Sequence, residues 1–232
     1  MQDDSLLRQH AEVLFRFDRD GRMLTANEPG EEPAPRVFVA RGRASALAWF
    51  RVDVTAEVAS ECRAAVVRLP AWNGEPAPES LWEPLRSALS RNDPMREEVG
   101  VCFRFGEPVR QPPGPEPVEI DDTLAHLLER FFPYTRSVLA WRRPVLAIVE
   151  DGAVVSACYS PRHSSRACEA GVDTEEPYRG RGYAARVVAA WRDAVEREGR
   201  VPLYSTTWDN AASRAVARKL GLVAYAETLS LT

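Results

Sequence analysis

One stretch of the chain carries residue types suited to holding a phosphate. Pro177-Tyr178-Arg179-Gly180-Arg181-Gly182-Tyr183-Ala184 lies between a run that reads as a strand and one that reads as an amphipathic helix. Glycines in such a turn admit dihedrals closed to other residues and let the main chain come close to a ligand. The first amides of a helix have no partner inside it, and the helix dipole adds positive potential at that end. A pyrophosphate fits such a place. Arg179 and Arg181 add charge there; on the plainer reading they are solvated side chains of a simple strand-to-helix connection.

Two phosphate motifs fail against this turn. Gly180-Arg181-Gly182-Tyr183-Ala184-Ala185 formally satisfies GxGxxA, the dinucleotide fingerprint. That motif needs a hydrophobic strand running into the first glycine and an acid about 20 positions on, ending the next strand. Here Thr174-Glu175-Glu176-Pro177 precedes the turn, and Ser205, Thr206 and Thr207 come before any acid in the strand that follows. The GK[ST] ending of a P-loop is absent. Cys158, His163 and Cys168 recur at regular intervals, but three ligands spread over a hairpin without a fourth read as core cysteines and a turn histidine. No metal is expected.

The elements that must position the turn follow from periodicity. Leu7, His10, Leu14 and Phe17 recur at helical spacing, and Asp20-Gly21 marks a turn. Residues 36–40 and 46–52 read as strands, Thr55 as the cap of a helix to Val67, 79–89 as a further helix, and 99–105 as an alternating strand. Prolines and a glycine crowd residues 107–117, an extended, hydrogen-bond-poor composition that reads as a linker. Beyond it, Leu124, Leu127, Leu128 and Phe131 give a helix that Pro133 should stop, with His126 on its apolar face. Strands at 145–149 and 154–159 flank Asp151-Gly152, a hairpin turn, and a third strand covers 167–172. A long helix spans 182–198 and ends at Gly199; a strand at 203–207, a helix from Asp209 or Asn210 to Gly221, and a last strand complete the chain.

From Gly171 to Leu222 the sequence resembles the GNAT superfamily of acyl-CoA-dependent N-acetyltransferases. The features carrying the resemblance run in order: a strand ending in Val172, the Tyr178-Arg179-Gly180-Arg181-Gly182 turn, a long helix, the strand to Thr207, Asp209-Asn210-Ala211-Ala212-Ser213, and Arg218-Lys219-Leu220-Gly221-Leu222. The resemblance implies, over 118–232, an α/β fold with a mixed, mostly antiparallel sheet flanked by helices; residues 1–106 lie outside it and read, from their own elements, as a smaller N-terminal α/β domain. It further implies acetyl-CoA as acyl donor. Val172, Asp173 and Thr174 would offer backbone groups to the pantetheine arm. Arg179, Gly180, Arg181, Gly182, Tyr183 and Ala184 would hold the phosphates, and Asn210 and Ser213 would line the far side of the arm. An unpaired strand edge is a hydrogen-bond template that an amide-bearing arm can satisfy. Two positions depart from the family pattern. Pro177 stands where a polar residue heads the turn, and Ala217 stands where a tyrosine often protonates the leaving thiolate.

Acyl transfer to an amine needs a neutral amine, a polarised thioester carbonyl and a proton for the departing sulfur. An amine near pKa 10 is mostly protonated at neutral pH, so a general base helps. Backbone N–H groups of the strand can polarise the carbonyl. Glu169, on the strand leading into Val172, is the candidate base; as a bland strand carboxylate it would be solvated or paired with an arginine. Tyr225 is the candidate acid in place of Ala217, with Tyr204 or water as alternatives. The expected function is direct acetyl transfer to a small-molecule amine in a ternary complex, the alternative a CoA-binding protein without transferase activity.

Composition sets the outer bounds. The chain has 232 residues, 45% hydrophobic and 28% charged, with a formal net charge of −4, which disfavours nucleic acid or an anionic membrane as partner. No apolar run approaches a membrane helix, and MQDDSLLRQH does not read as a signal peptide. Four scattered cysteines, Cys62, Cys102, Cys158 and Cys168, suggest neither disulfides nor a zinc knuckle, so a cytoplasmic location is expected. Of 30 basic residues only Lys219 is lysine, which reads as coding bias. Composition leaves a homo-oligomer open.

Overall fold

Local signals set most element ends in the computed structural model, which describes residues 3–89, 95–106 and 113–232. Thr55 Oγ1 accepts from Val58 N at 3.3 Å and starts a helix over Ala56–Val67, as its hydroxyl predicts. Asp151 and Gly152 take φ of 48° and 72° at the hairpin between Leu146–Glu150 and Ala153–His163. Gly199 and Gly221, at φ of 75° and 63°, close the two long C-terminal helices. Most of the expected linker, residues 107–112, lies outside the described residues.

Two compact units interleave along the sequence. The first comprises Met1–Phe103, Ser205–Ala211 and Ala224–Thr232. It contains α1 (Asp3–Leu14), the hairpin β1 (Phe15–Phe17) and β2 (Met23–Ala26), β3 (Val37–Gly42), β4 (Ala46–Phe50), α2 (Ala56–Val67), α3 (Glu83–Leu89) and β5 (Glu97–Arg104). The last three residues of β10 (Val201–Thr207) and nearly all of β11 (Val223–Leu231) belong to it as well. Strand order is β4-β3-β11-β5-β10, with β3 antiparallel to both β4 and β11. The helix expected to run on to Phe17 stops at Leu14, because Phe15 leaves it to pair with Ala26. Val37, Val39, Leu229 and Leu231 from the sheet meet Ala59, Cys62, Val66, Trp82 and Leu85 in one apolar core. Beside it lies a buried charge pair: Glu227 accepts from Arg41 Nη2 at 2.6 Å, Ala77 N at 2.8 Å and Trp208 Nε1 at 3.1 Å.

The second unit comprises Arg104–Tyr204 and Ala212–Val223. Its elements are β6 (Val118–Glu119), α4 (Pro133–Ser137), α5 (Leu139–Arg142), β7 (Leu146–Glu150), β8 (Ala153–His163), β9 (Ala167–Thr174), α6 (Tyr183–Arg197), the start of β10 and α7 (Ala211–Lys219). Strand order is β10-β9-β8-β7-β6, antiparallel except for the β9–β10 pair. The expected helix over 124–131 is only a 3-10 turn, Ala125–Leu128, and Pro133 opens α4 instead of stopping a helix. A first-turn proline sacrifices no intrahelical hydrogen bond. The same change of period leaves His126 exposed, its Nδ1 3.0 Å from the Thr123 carbonyl. Val187, Val188, Trp191 and Val195 of α6 are fully buried, and Trp191 Nε1 donates to Ser160 Oγ on β8 at 3.0 Å. The other face of β8 presents Ala157 and Tyr159 to Leu128, Phe132 and Leu139. Among the described residues no helix is long and apolar enough to cross a membrane.

Candidate coenzyme site

Two ladders with different ends create the site. β9 stays paired with β8 to its last residue, Gly171 opposite Tyr159, Val172 opposite Cys158, Asp173 opposite Ala157 and Thr174 opposite Ser156. On its other side it runs parallel to β10 only through Ala167–Val201, Cys168–Pro202 and Glu169–Leu203. Past Glu169 the edge of β9 is a row of main-chain groups without a ladder partner on that side among the described residues, a template for an extended amide chain. Val172, Asp173 and Thr174 occupy this edge.

The strand then enters the glycine turn. Glu175 N donates to the Val155 carbonyl at 3.0 Å, a 3-10 turn covers Glu176–Tyr178, and Gly180 and Gly182 take φ of 77° and 84°. A side chain at Gly180 would meet nothing within 4 Å, so its conformation alone selects glycine. At Gly182 space matters too: a Cβ would lie 2.9 Å from Lys219 Nζ. Gly182 is the N-cap of α6 and offers no side-chain cap, so the amides of the first turn point outward, unsatisfied by the helix. Both arginines fasten the turn. Arg179 Nε donates to the Thr174 carbonyl at 3.1 Å, and Arg181 donates to the Pro177 carbonyl at 3.2 Å and to Glu150 at 3.4 Å. The Tyr183 hydroxyl donates to the other Glu150 oxygen.

On the α5 side of β9, alternation sets Glu169, Gly171 and Asp173 on one face. The Tyr159 ring fills the space that Gly171 leaves, its Cε2 2.6 Å from where a Cβ would stand. Its hydroxyl donates to Asp173 Oδ2 at 2.5 Å, and the Arg142 guanidinium lies 4.1 Å from the ring centre. Burial and the Asp173 charge push the Tyr159 phenol well above its ordinary pKa. Glu169 is 5% exposed and stands directly across from Arg162. Tyr204, one residue past the last β9–β10 pair, is buried with its hydroxyl 2.6 Å from Ser213 Oγ. Burial raises its pKa to about 12, against the opposing hydrogen bond from Ser213. Asn210, just ahead of α7, and Tyr225 fall in the first unit, where the Tyr225 hydroxyl meets His10 Nδ1. Cys158 and Cys168 are buried and their thiols pushed up, mainly by desolvation, which disfavours the thiolate a metal or nucleophilic role requires. The sequence reading missed the Tyr159–Asp173–Arg142 stack and the meeting of Lys219 with Gly182; each joins residues far apart in sequence.

The model of the GNAT acetyltransferase family matches residues 146–228. Over that stretch the chain is similar to GNAT acetyltransferases. Solved structures that align with the chain include a GNAT-family acetyltransferase of Novosphingobium aromaticivorans (22% identity, TM-score 0.45, 59% of this chain and 64% of that one). A GCN5-related N-acetyltransferase-like protein of Streptococcus suis is 18% identical at TM-score 0.49, covering 86% and 85% of the two chains. A Drosophila protein is 14% identical at TM-score 0.50, covering 99% and 87%. At 14% identity the likeness to the Drosophila protein is one of fold alone. The chain spans 64% of the Novosphingobium protein and 61% of a GNAT-family acetyltransferase of Colwellia psychrerythraea. No curated protein matches the sequence.

Proposed function

We propose that the GNAT domain transfers an acetyl group from acetyl-CoA to the amine of a small-molecule acceptor by direct attack in a ternary complex. The observation that carries this reading is the end of the β9–β10 ladder at Glu169–Leu203, just upstream of a turn that opens α6 with uncapped amides. The pantetheine arm pairs with the edge at Val172, Asp173 and Thr174, and the phosphates rest on residues 179–184. Ser213, in the same unit, lines the far side of the arm.

In the reaction the amine nitrogen attacks the thioester carbonyl carbon, the carbon–sulfur bond breaks, and the amine loses a proton. Glu169, buried on the same face of β9 as Gly171 and Asp173, takes that proton directly or through water. Tyr204 shares a compact unit with the open strand edge and is the phenol this reading assigns to the departing sulfur, in place of Tyr225, which lies in the first unit. A phenol at about 12 is roughly 3.5 pH units less acidic than an ordinary thiol, so full proton transfer to the thiolate is uphill by about 5 kcal/mol. Tyr204 therefore donates a hydrogen bond to the departing sulfur, and the proton the thiolate finally takes up is the one the amine released, relayed through solvent.

Ala217, 1% exposed, favours a second reading: with no tyrosine at that position, the domain binds coenzyme A without turning it over. Thiol release from acetyl-CoA across a panel of primary amines separates the two. Sustained turnover with any acceptor rejects the inert version, and binding of acetyl-CoA by calorimetry with no turnover across the panel rejects the transferase.

A further inference from the structure

The two arginines that the sequence offers to a phosphate are both engaged in holding the turn, Arg179 on the Thr174 carbonyl and Arg181 between the Pro177 carbonyl and Glu150. A third cation reaches the same place from another element. Lys219, the exposed last residue of α7, sets its Nζ 2.9 Å from where a Gly182 side chain would begin. Among the described residues no ion pair involves it. Gly182 is also the N-cap of α6, so an ammonium stands beside the positive end of a helix dipole. Two positive potentials side by side repel, and an anion between them relieves both.

Resting on the coenzyme reading above, we propose that Lys219 is a phosphate-binding residue of the GNAT domain, gripping one phosphate of coenzyme A against the opening amides of α6. The assignment gives Gly182 a second reason to be glycine. Its missing side chain is the passage through which the ammonium reaches the anion, and any Cβ there closes it.

The chain's lone lysine makes the test direct, since a lysine-directed acylating reagent reports on one side chain, read at the Lys219 peptide by mass spectrometry. Saturating coenzyme A is expected to slow labelling at least about tenfold, and pantetheine, which lacks the phosphates, to leave it unchanged. Equal protection by 3′-dephospho-coenzyme A assigns the contact to the pyrophosphate; protection lost with the 3′-phosphate assigns it to that group. Lys219→Met should weaken coenzyme A binding about tenfold, as loss of a charge-assisted contact does, while Lys219→Arg stays within about threefold of the parent. Unchanged labelling in a sample that calorimetry shows to be loaded with coenzyme A overturns the role of Lys219 alone. A protein that takes up no coenzyme A overturns the coenzyme reading and this proposal together.

Discussion

Substituting Gly182 by asparagine and by aspartate should reverse the order of stability and binding. Gly182 holds φ of 84°, a left-handed conformation that costs a non-glycine residue about 1–2 kcal/mol, with Asn and Asp at the low end. A new Cβ displaces Lys219 Nζ, 2.9 Å away, but that is the tip of a flexible, exposed chain and moves at little cost. Gly182→Asn should therefore lose about 1 kcal/mol, or about 2–4 °C in melting temperature for a chain of this size. Gly182→Asp pays the same strain but places a negative charge at the start of α6, which returns about 0.3–1 kcal/mol. It should melt close to the parent. Binding runs the other way. A carboxylate about 4 Å from a phosphate at a half-exposed site costs between the aqueous figure of about 1 kcal/mol and the near-surface figure of about 4 kcal/mol. Taking about 2–4 kcal/mol, Gly182→Asp should weaken coenzyme A about 30-fold to 1,000-fold, and the neutral Gly182→Asn about tenfold. Thermal melts and calorimetry on the same three preparations decide it. Equal affinity for coenzyme A in the aspartate and asparagine variants, both folded, refutes the placement of a phosphate at this turn.

Tyr204→Phe should lower kcat/KM by about tenfold or less, the worth of one neutral hydrogen bond, with its pH–rate profile unchanged; a thousandfold loss with a vanished alkaline limb would make the phenol a true acid. The same variant tests linkage. The folded pKa of Tyr204 is raised to about 12, so its contribution is fully present below about pH 10 and is lost at about 1.4 kcal/mol per pH unit between about 10 and 12. Tyr159 and the buried thiols add their own alkaline losses, so the drop in stability between pH 9 and 11 in denaturant titrations should be about 1.4 kcal/mol smaller in Tyr204→Phe than in the parent. Glu169→Gln should cut kcat/KM about 10²-fold to 10⁴-fold while the Kd for acetyl-CoA holds; lost stability with intact turnover would leave Glu169 only a cross-strand partner of Arg162. Glu227→Gln should cost about 3–5 kcal/mol by urea titration by stranding buried Arg41; a loss under about 1 kcal/mol would show that the pair contributes little.

The glycine turn was readable from sequence because its requirements are local. Positive φ selects Gly180 and Gly182, and both glycines fall inside a few residues of the strand and helix they join. The same holds for the Thr55 cap and the Asp151-Gly152 hairpin, where one side chain or one dihedral fixes the outcome. Pairing between distant segments leaves no such mark. Nothing in the alternation of Ala226, Leu229 and Leu231 says that their partners are Gly42, Val39 and Val37, nearly two hundred residues upstream, so the last strand could not be assigned to the first unit. Lys219 shows the same boundary at the site itself. As a letter it was the lone lysine in an arginine-rich chain, but its placement beside Gly182 depends on how α7 packs near the start of α6. A glycine chosen for its dihedral is visible in one dimension; a glycine chosen to make room for a distant ammonium becomes visible only when the helices are in place.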